Sequence, residues 1–469
     1  MKTYDLLPIY ENIKDTFLKD TLKRNNYLYR FISLLQSIDD MNCTIALDGK
    51  WGAGKTFFIQ QAKLLLDVLN PYIEKDNLSD QLKDDYNKIL EKCTSHKLNE
   101  ATLQLPIYYN AWENDNADDP IESLIYSIAS DISTEIKIID GKRDIGEIIT
   151  SIFGLIQLQY TIPVGDNGKS LSFSFDGQRI KDIAEACKKK NEFGQISKEV
   201  KLRTEINEFL NSLLPEKANR LVIFIDELDR CNPIFAIKLL ERIKHYFDNE
   251  NITFVFSTNL SELQNTIKNS YGQDFNATKY LDKFFDITIE LPQIDIEEYF
   301  KYKNLDPNGT YTAIKIQIAK YCKLELREIN RFLKATTISN KMLLKNNPML
   351  WNDKYWHFLI DCLSPLLIAL KRTNQTLYSD FISGKNENPL LDIYKDDFMA
   401  STLMDYWEIQ TDEWLAENSK ENQLKKLYKA IFVDDIKEPL KIGNMKIECG
   451  TKQKLLEITS LLSDYADYD

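Results

Sequence analysis

Five short runs of apolar residues, separated by longer segments with helical periodicity, dominate the pattern along the chain. A run that is apolar at nearly every position is typical of a parallel strand buried on both faces. Alternation of such strands with helices favours a parallel, doubly wound sheet in a three-layer α/β fold. The predicted strands lie at about 43–48, 103–109, 221–226, 252–259 and 286–291.

The segments between these strands repeat their apolar positions every three to four residues, as the buried face of a helix does. The first segment, 10–38, is predicted as helix with Phe17, Leu22, Phe31 and Leu35 on one side. The other helices predicted before the last strand lie at about 57–69, 77–95, 119–140, 178–214 and 233–247.

One stretch, 148–165, carries no charge and is nearly long enough to span a bilayer. Apolar and polar residues alternate with a period of two over 155–162, turn-forming residues follow, and 170–175 alternates again. Two alternating runs around a turn are typical of a β-hairpin. The pattern therefore favours a hairpin over 155–176, within an insertion at about 119–214, and not a membrane span.

The loop after the first strand carries the strongest chemical signal. Its pattern, G-x-x-x-x-G-K-T between a strand and a helix start, is typical of a P-loop, whose backbone N–H groups surround phosphates. Lys55 is predicted to contact the β- and γ-phosphates, and Thr56 to bind Mg²⁺. The residues predicted to bind the nucleotide are Gly49, Lys50, Trp51, Gly52, Ala53, Gly54, Lys55 and Thr56.

Two acidic residues, Asp226 and Glu227, follow the apolar run of the third strand. The carboxyl ends of parallel strands are where open α/β sheets bind ligands. Asp226 is therefore predicted to join Thr56 as a metal ligand, and Glu227 to polarise the attacking water. The alternative, a core strand followed by a solvated acidic turn, is less favoured because the P-loop is present.

With these motifs, the chain resembles the KAP family of P-loop NTPases from Asp20 to about Arg331. The resemblance implies an ATPase or GTPase with Mg²⁺, and bacterial members are frequently linked to defence against phages. It also implies that Asp20 and Arg24 line the base side of the nucleotide pocket. The stretches that carry it, besides the P-loop, are Asp20-x-Leu22-x-Arg24, Tyr109-Asn110-Ala111-Trp112-Glu113, Asp226-Glu227-Leu228-Asp229-Arg230-Cys231 with Pro233, Leu240–Phe247 and Arg327–Leu333.

Three domains are expected on this basis. Residues 1–292 would form the KAP-type core, 293–345 a helical lid that is locally basic, and 346–469 a helical C-terminal domain rich in aromatic residues. Arg327 and Arg331 lie one turn apart on a lid helix, where either could reach the γ-phosphate.

Three further side chains are assigned roles at the nucleotide. Asn259 ends the fourth strand and is expected to sense the γ-phosphate or orient the water, although many family members have an acidic residue near this position. Arg230 is predicted either to act as an arginine finger on a neighbouring subunit or to form a local salt bridge with Asp229 or Asp226. Trp51 is expected to pack outward from the loop.

Composition narrows the choice of partners and compartment. The net charge of −13 argues against nonspecific binding of nucleic acid, while leaving room for a local basic groove. Seven scattered cysteines, no C-x-x-C pair and three histidines indicate neither a disulfide framework nor a zinc site. A cytoplasmic protein is expected, because this cysteine usage fits a reducing compartment.

The sequence thus predicts Mg²⁺-dependent hydrolysis of ATP that drives a conformational switch or an assembly, in a homo-oligomer or with a partner effector protein. The alternative is a regulatory module that binds nucleotide without hydrolysing it, and Glu227 favours hydrolysis. A kinase-like phosphotransferase would need a nucleophile pocket and a mobile substrate lid, of which the sequence gives no sign.

Overall fold

The chain divides into two compact units. The first comprises Leu7–Asp20 and Arg24–Pro292, and the second is formed mainly by the residues from Gln293 onwards. The domain boundaries expected at 292 and 345 remain predictions. The computed structural model describes residues 6–39, 41–71, 79–98, 103–133, 145–159, 194–214, 218–345, 357–394, 420–434, 436, 438–442 and 445–464.

A five-stranded parallel sheet forms the centre of the first unit. The strands run side by side in the order β2-β3-β4-β1-β5, and every neighbouring pair is parallel. The predicted strands are confirmed to within one residue at either end. They are β1 (Cys43–Asp48), β2 (Gln104–Asn110), β3 (Arg220–Asp226), β4 (Ile252–Thr258) and β5 (Ile287–Glu290).

Helices pack on both faces of this sheet, which completes three layers. Every residue of β3 and of β4 is buried, which explains why these strands are continuous apolar runs. One face carries α3 (Lys55–Leu69), against which α1 (Tyr10–Lys19), α2 (Asn25–Ser37) and α4 (Asp80–Ser95) pack. The other face carries α5 (Pro120–Ser133), α6 (Ile145–Gln159), α7 (Gly194–Ser212), α8 (Pro233–Tyr246), α9 (Leu260–Tyr271) and α10 (Ala277–Leu281).

The helix predicted over 10–38 is interrupted. Asp20 and Lys23 adopt left-handed backbone conformations, with φ of 47° and 54°, between the end of α1 and the start of α2. A residue in this region cannot continue a right-handed helix. The Asp20 carboxylate accepts the N–H of Asn25 at 3.1 Å, so it stabilises the start of α2.

The first strand of the predicted hairpin is wrong over Leu155–Gln159, because these residues end helix α6. The buried apolar residues of α6 have the spacing of one helix face, which a window of eight alternating residues could not show. They are Ile148, Ile149, Ile152, Leu155 and Ile156. The rest of the hairpin, 160–176, lies outside the described residues. Among the residues that are described, no helix is both long and apolar enough to cross a bilayer.

The second unit is largely helical, as predicted. Short π-helical segments, Leu359–Leu363 and Lys429–Val433, adjoin two of its helices, and β6 (Leu440–Ile442) pairs antiparallel with β7 (Met445–Ile447). Its helices are α11 (Ile296–Tyr302), α12 (Thr310–Tyr321), α13 (Leu326–Lys345), α14 (Ser364–Thr373), α15 (Gln375–Ile382), α16 (Asn388–Ile393), α17 (Lys420–Tyr428) and α18 (Thr451–Asp464).

Candidate nucleotide-binding site

The P-loop, residues 49–56, joins β1 to α3 and depends on glycine at three positions. Gly52 and Gly54 have φ of 83° and 92°, the left-handed region in which a Cβ atom is strained. Gly49 is needed for a different reason, since a Cβ there would stand 3.3 Å from Lys55 Cγ and 3.3 Å from Leu291 Cβ. Glycine at these three positions therefore allows the loop to close tightly at the start of α3.

Hydrogen bonds hold the P-loop against the sheet. The N–H of Gly49 donates to the Thr258 carbonyl at the end of β4, at 3.2 Å. Arg24 is buried, and its guanidinium donates to the carbonyl of Ala53 at 2.9 Å and to that of Pro292. In this structure Arg24 thus fastens the loop to the chain that follows β5.

Lys55 points back onto its own loop. Its Nζ donates to the carbonyl oxygen of Gly49 at 2.6 Å and to that of Lys50 at 3.3 Å. Burial lowers the pKa of the Lys55 ammonium, and nearby carboxylates, first that of Asp229, raise it. The two carbonyl oxygens therefore accept N–H groups of the ammonium that could otherwise donate to a phosphate oxygen.

Asp226 ends β3 and is fully buried. The hydroxyl of Tyr108, on the neighbouring strand β2, donates to Oδ2 at 3.1 Å, while Oδ1 has no hydrogen-bond partner among the described residues. Burial raises the pKa of Asp226, and the hydroxyls of Thr56, Ser257 and Tyr108 oppose that rise. The arrangement leaves one carboxylate oxygen available near the Thr56 hydroxyl.

This donor set fits Mg²⁺, which prefers hard oxygen ligands and is commonly bound by one or two protein groups together with phosphates. Thr56 and Asp226 would hold the ion, as the sequence predicts. Within the described chain, no cluster of three or more His, Cys, Asp or Glu side chains could hold a metal by itself.

Glu227 is the second residue of the acidic turn, residues 226–230, and adopts a left-handed conformation with φ of 62°. Its N–H donates to the carbonyl of Ser257 on β4 at 3.3 Å. Its Oε1 accepts the Thr56 hydroxyl at 3.4 Å, and its Oε2 lies 2.5 Å from Nε of Arg230. Burial, followed by the charge of Asp226, raises the pKa of Glu227, and Arg230 opposes the rise.

Arg230 forms a local ion pair, but with Glu227 and not with Asp229 or Asp226 as the sequence suggested. The one-turn 3₁₀ helix Leu228–Arg230 brings the two side chains together. The guanidinium carbon also lies 5.5 Å from the ring centroid of Trp112. A role of Arg230 on a neighbouring subunit remains a prediction.

A side-chain link connects the P-loop to the acidic turn. Asp229 is buried, and its carboxylate accepts the indole N–H of Trp51 and, at 3.1 Å, the hydroxyl of Thr258. Trp51 is 47% exposed, so close to half of the residue faces solvent although its indole N–H is bound. Trp51 therefore lies toward the outside of the loop while its nitrogen fixes the loop to the turn.

Asn259 caps helix α9. Its Oδ1 accepts the N–H of Glu262 at 3.4 Å, and the neighbouring Leu260 N–H is bound by the Asp48 carboxylate at 2.9 Å. The helix thus uses the amide oxygen, and the amide nitrogen is the group that could contact a phosphate. The sensing role of Asn259 remains a prediction.

Comparison with known proteins identifies the family. The model of the KAP family P-loop domain matches residues 24–343. The chain belongs to the KAP family of P-loop NTPases.

Other relatives add little beyond this KAP assignment. An uncharacterized protein of Methanocaldococcus jannaschii is 30% identical over 128 residues, which are 26% of this chain and 66% of that protein. The chain thus spans just under two-thirds of that relative's length. A solved chain of the Aeropyrum pernix ORC2 protein, in ADPNP and ADP complexes, aligns at 12% identity over 99% of this chain and 97% of that chain. Its TM-score of 0.28 is too low to support any argument.

The two remaining predicted residues of this KAP chain lie in the helical unit. Arg327 and Arg331 are on α13, the first exposed and the second partly buried. Asn330, between them, accepts the hydroxyl of Tyr299 at 2.6 Å and so fixes this helix within its own unit. The predicted contact of either arginine with the γ-phosphate remains a prediction.

Sequence reasoning did not assign a role to Tyr108 or to Ser257. Both contribute hydroxyls near Asp226, but they belong to β2 and β4, the two neighbours of β3. The signal that could have found them is strand order, because Asp226 is paired with Ser257 in the register of β3 and β4. A local sequence pattern does not predict the order of strands in a sheet.

Proposed function

We propose that this KAP-family protein hydrolyses ATP with Mg²⁺. The observation that supports the proposal is the convergence of Lys55, Thr56, Asp226 and Glu227 at one end of the sheet, with Thr56 Oγ1 3.4 Å from Glu227 Oε1. A P-loop lysine, a hydroxyl, a carboxylate with a free oxygen and a second carboxylate are the groups that phosphoryl transfer to water requires.

Each group would have a separate task in the reaction. Lys55 would turn from its own carbonyls to the β- and γ-phosphates, and Thr56 with Asp226 would hold Mg²⁺. When bound, the ion would neutralise charge on the phosphates. Glu227 would accept a proton from water as the water oxygen attacks the γ-phosphorus. The bond from that phosphorus to its bridging oxygen breaks, and ADP leaves with the electron pair.

Two substitutions test the proposal. Lys55→Ala should abolish nucleotide binding, because the phosphate charge loses its cation. Glu227→Gln should keep binding and lose turnover, by about 10²-fold or more if the glutamate acts as the base. Binding is measured with a fluorescent ATP analogue and turnover by phosphate release, with GTP in parallel to establish nucleotide preference.

Matched controls are available in the same unit. Lys63, two turns further along α3, pairs with Asp67 at 3.2 Å, and Lys63→Ala should leave binding intact. Glu250 is exposed just before β4 begins, and Glu250→Gln should leave turnover intact. Wild-type turnover in Glu227→Gln would contradict the assignment of the base.

The alternative is a regulatory module that binds ATP and signals without hydrolysis. The ion pair between Glu227 and Arg230, at 2.5 Å, favours it, because a carboxylate paired in this way is a poor acceptor for a water proton. Single-turnover hydrolysis by the wild-type protein separates the two. Binding without any phosphate release would support the regulatory module.

We further propose that hydrolysis drives a switch or an assembly, in a homo-oligomer or with an effector protein. Exposed aromatic residues beside the site, Trp51 and Trp112, support contacts with another chain. Mass measurement by light scattering with and without ATP tests this. A defence role, implied by resemblance to bacterial relatives, is tested by phage plating on cells that express wild type or Lys55→Ala.

A further inference from the structure

The motif Tyr109-Asn110-Ala111-Trp112-Glu113 has no task in the chemistry proposed above, yet it lies against the acidic turn. The N–H of Ala111 donates to the carbonyl of Asp226 at 3.0 Å. Three residues beyond Trp112, the carboxylate of Asp115 accepts the N–H of Asn232 at 3.0 Å. The one-turn 3₁₀ helix Trp112–Asn114 is thus bound to the chain on both sides of the turn.

Trp112 supports Arg230 on this frame. Its indole ring lies 5.5 Å from the guanidinium carbon, within the range of a cation–π contact, and the Trp112 residue is 50% exposed. The arginine side chain is mostly covered, with 22% of its surface exposed. Arg230 is therefore held between the indole ring and the carboxylate of Glu227.

Both oxygens of Glu227 are occupied in this arrangement. Oε2 pairs with Arg230 Nε at 2.5 Å, and Oε1 accepts the hydroxyl of Thr56 at 3.4 Å. A general base must offer a lone pair to the water that it deprotonates. The Thr56 hydroxyl donates only its proton to Glu227 and keeps its lone pairs for the ion, so the contact that must change before hydrolysis is the one between Arg230 and Oε2.

We propose that Arg230 is a positioning residue that holds Glu227 of its own chain away from water, with Trp112 as its support. The inference rests on the proposed ATP hydrolysis at this site. Hydrolysis begins when the guanidinium leaves Glu227 Oε2, and the contact with Trp112 sets how readily it leaves. Arg230 accordingly restrains the rate without contributing to nucleotide affinity.

Single-turnover hydrolysis and nucleotide affinity, measured together on the full chain, test the proposal. Arg230→Gln should raise the rate constant several-fold and leave the dissociation constant of ATP unchanged. Arg230→Lys should stay closer to wild type, because an ammonium can still pair with the carboxylate. Trp112→Ala should also raise the rate, and the double variant should not exceed Arg230→Gln, because Trp112 acts only through the arginine.

Arg242 is the matched control. It also pairs with a carboxylate, Asp119 at 3.1 Å, and lies 5.4 Å from an aromatic ring, that of Tyr246, on α8. Arg242→Gln loses the same kinds of contact and should leave the rate constant unchanged. Thermal unfolding of every variant shows whether a rate change comes from loss of folded protein.

The outcomes separate this inference from the proposed function. An unchanged or lower rate in Arg230→Gln, with hydrolysis by wild type intact, overturns the restraint alone. A large loss that is recovered on mixing with Lys55→Ala overturns it in favour of a finger acting on a neighbouring subunit. Hydrolysis that appears only in Arg230→Gln supports both proposals, and none in either protein overturns both.

Discussion

The P-loop and the acidic turn lie on either side of β4, but they are held in different ways. The buried lysine of the P-loop, Lys55, is bound by main-chain carbonyls of its own loop. The carboxylates of the acidic turn are held by other side chains: Tyr108 binds Asp226, Arg230 binds Glu227, and Asp229 accepts two donors.

These two kinds of contact suggest how the site could respond to nucleotide. Main-chain carbonyls can release Lys55 to a phosphate, and glycine at three positions gives this backbone freedom to adjust. The acidic turn has to exchange specific side-chain partners before its groups change task. We therefore expect binding to depend on the P-loop and its fastening, and the rate to depend on the side-chain contacts of the turn.

The largest effect is expected when the P-loop is released from Arg24. Arg24→Gln leaves the carbonyls of Ala53 and Pro292 without their charged donor, and we expect about 3 kcal/mol less stability, with weaker ATP binding. Denaturant unfolding measures the loss. Arg30→Gln, at an exposed position of α2, should cost no more than about 0.5 kcal/mol. Equal stability of the two variants would show that the loop needs no such fastening.

A smaller effect is expected from Asp229→Asn, which breaks the link between the two regions. The amide nitrogen of the new side chain would face either the Trp51 N–H or the Thr258 hydroxyl, so one of the two donors loses its acceptor. We expect about 2 kcal/mol less stability by the same unfolding measurement. Asp248→Asn, at an exposed position, is the control. If both variants unfold alike, the link does not stabilise the site.

Tyr108→Phe tests a single side-chain contact inside the acidic turn. Without the phenol hydroxyl, Asp226 loses the donor that fixes Oδ2, and we expect about tenfold weaker metal binding. Titration of Mn²⁺ by EPR, with a non-hydrolysable ATP analogue bound, measures this without turnover. Tyr109→Phe loses a comparable bond, to Ser123 Oγ at 2.7 Å, on the other face of the sheet and should bind metal normally. Equal metal affinity in the two variants would show that Tyr108 does not contribute to metal binding.

The smallest effect is expected at Asn259, where structure and catalysis make separable predictions. Loss of the helix cap in Asn259→Ala should cost about 1 kcal/mol of stability. Asn276 caps α10 in the same way, because its Oδ1 accepts the N–H of Lys279 at 2.9 Å. Asn276→Ala should therefore lower the stability by a similar amount. Only Asn259→Ala should also lower ATP turnover. Equal turnover in the two variants would show that Asn259 serves only as a helix cap.

The five strands could be predicted because burial on both faces makes them apolar at nearly every position. The hairpin prediction failed at Leu155–Gln159 because two glutamines among apolar residues mimic the alternation of a strand over a short window. The break at Asp20–Lys23 escaped detection because the buried residues of α1 and α2 continue one helical period across it. Local pattern fails where packing against distant elements decides the conformation.

The candidate site divides in the same way. The P-loop and the pair Asp226 and Glu227 could be recognised, since each is a continuous motif with its own chemistry. The partner of Arg230 could not be identified, because it depends on the left-handed turn at Glu227, which a non-glycine residue rarely adopts. Tyr108 was missed because its target lies on another strand.

The placement of β4 between β1 and β3 also has a consequence for synthesis on the ribosome. β1 pairs only with β4 and β5 among the described strands, so the P-loop strand has no neighbour until the chain has grown past Ile252. At ordinary translation speeds, about 10–40 s separate the emergence of the two strands. During this interval the first strand is an apolar segment with open edges, which makes it a natural binding site for chaperones.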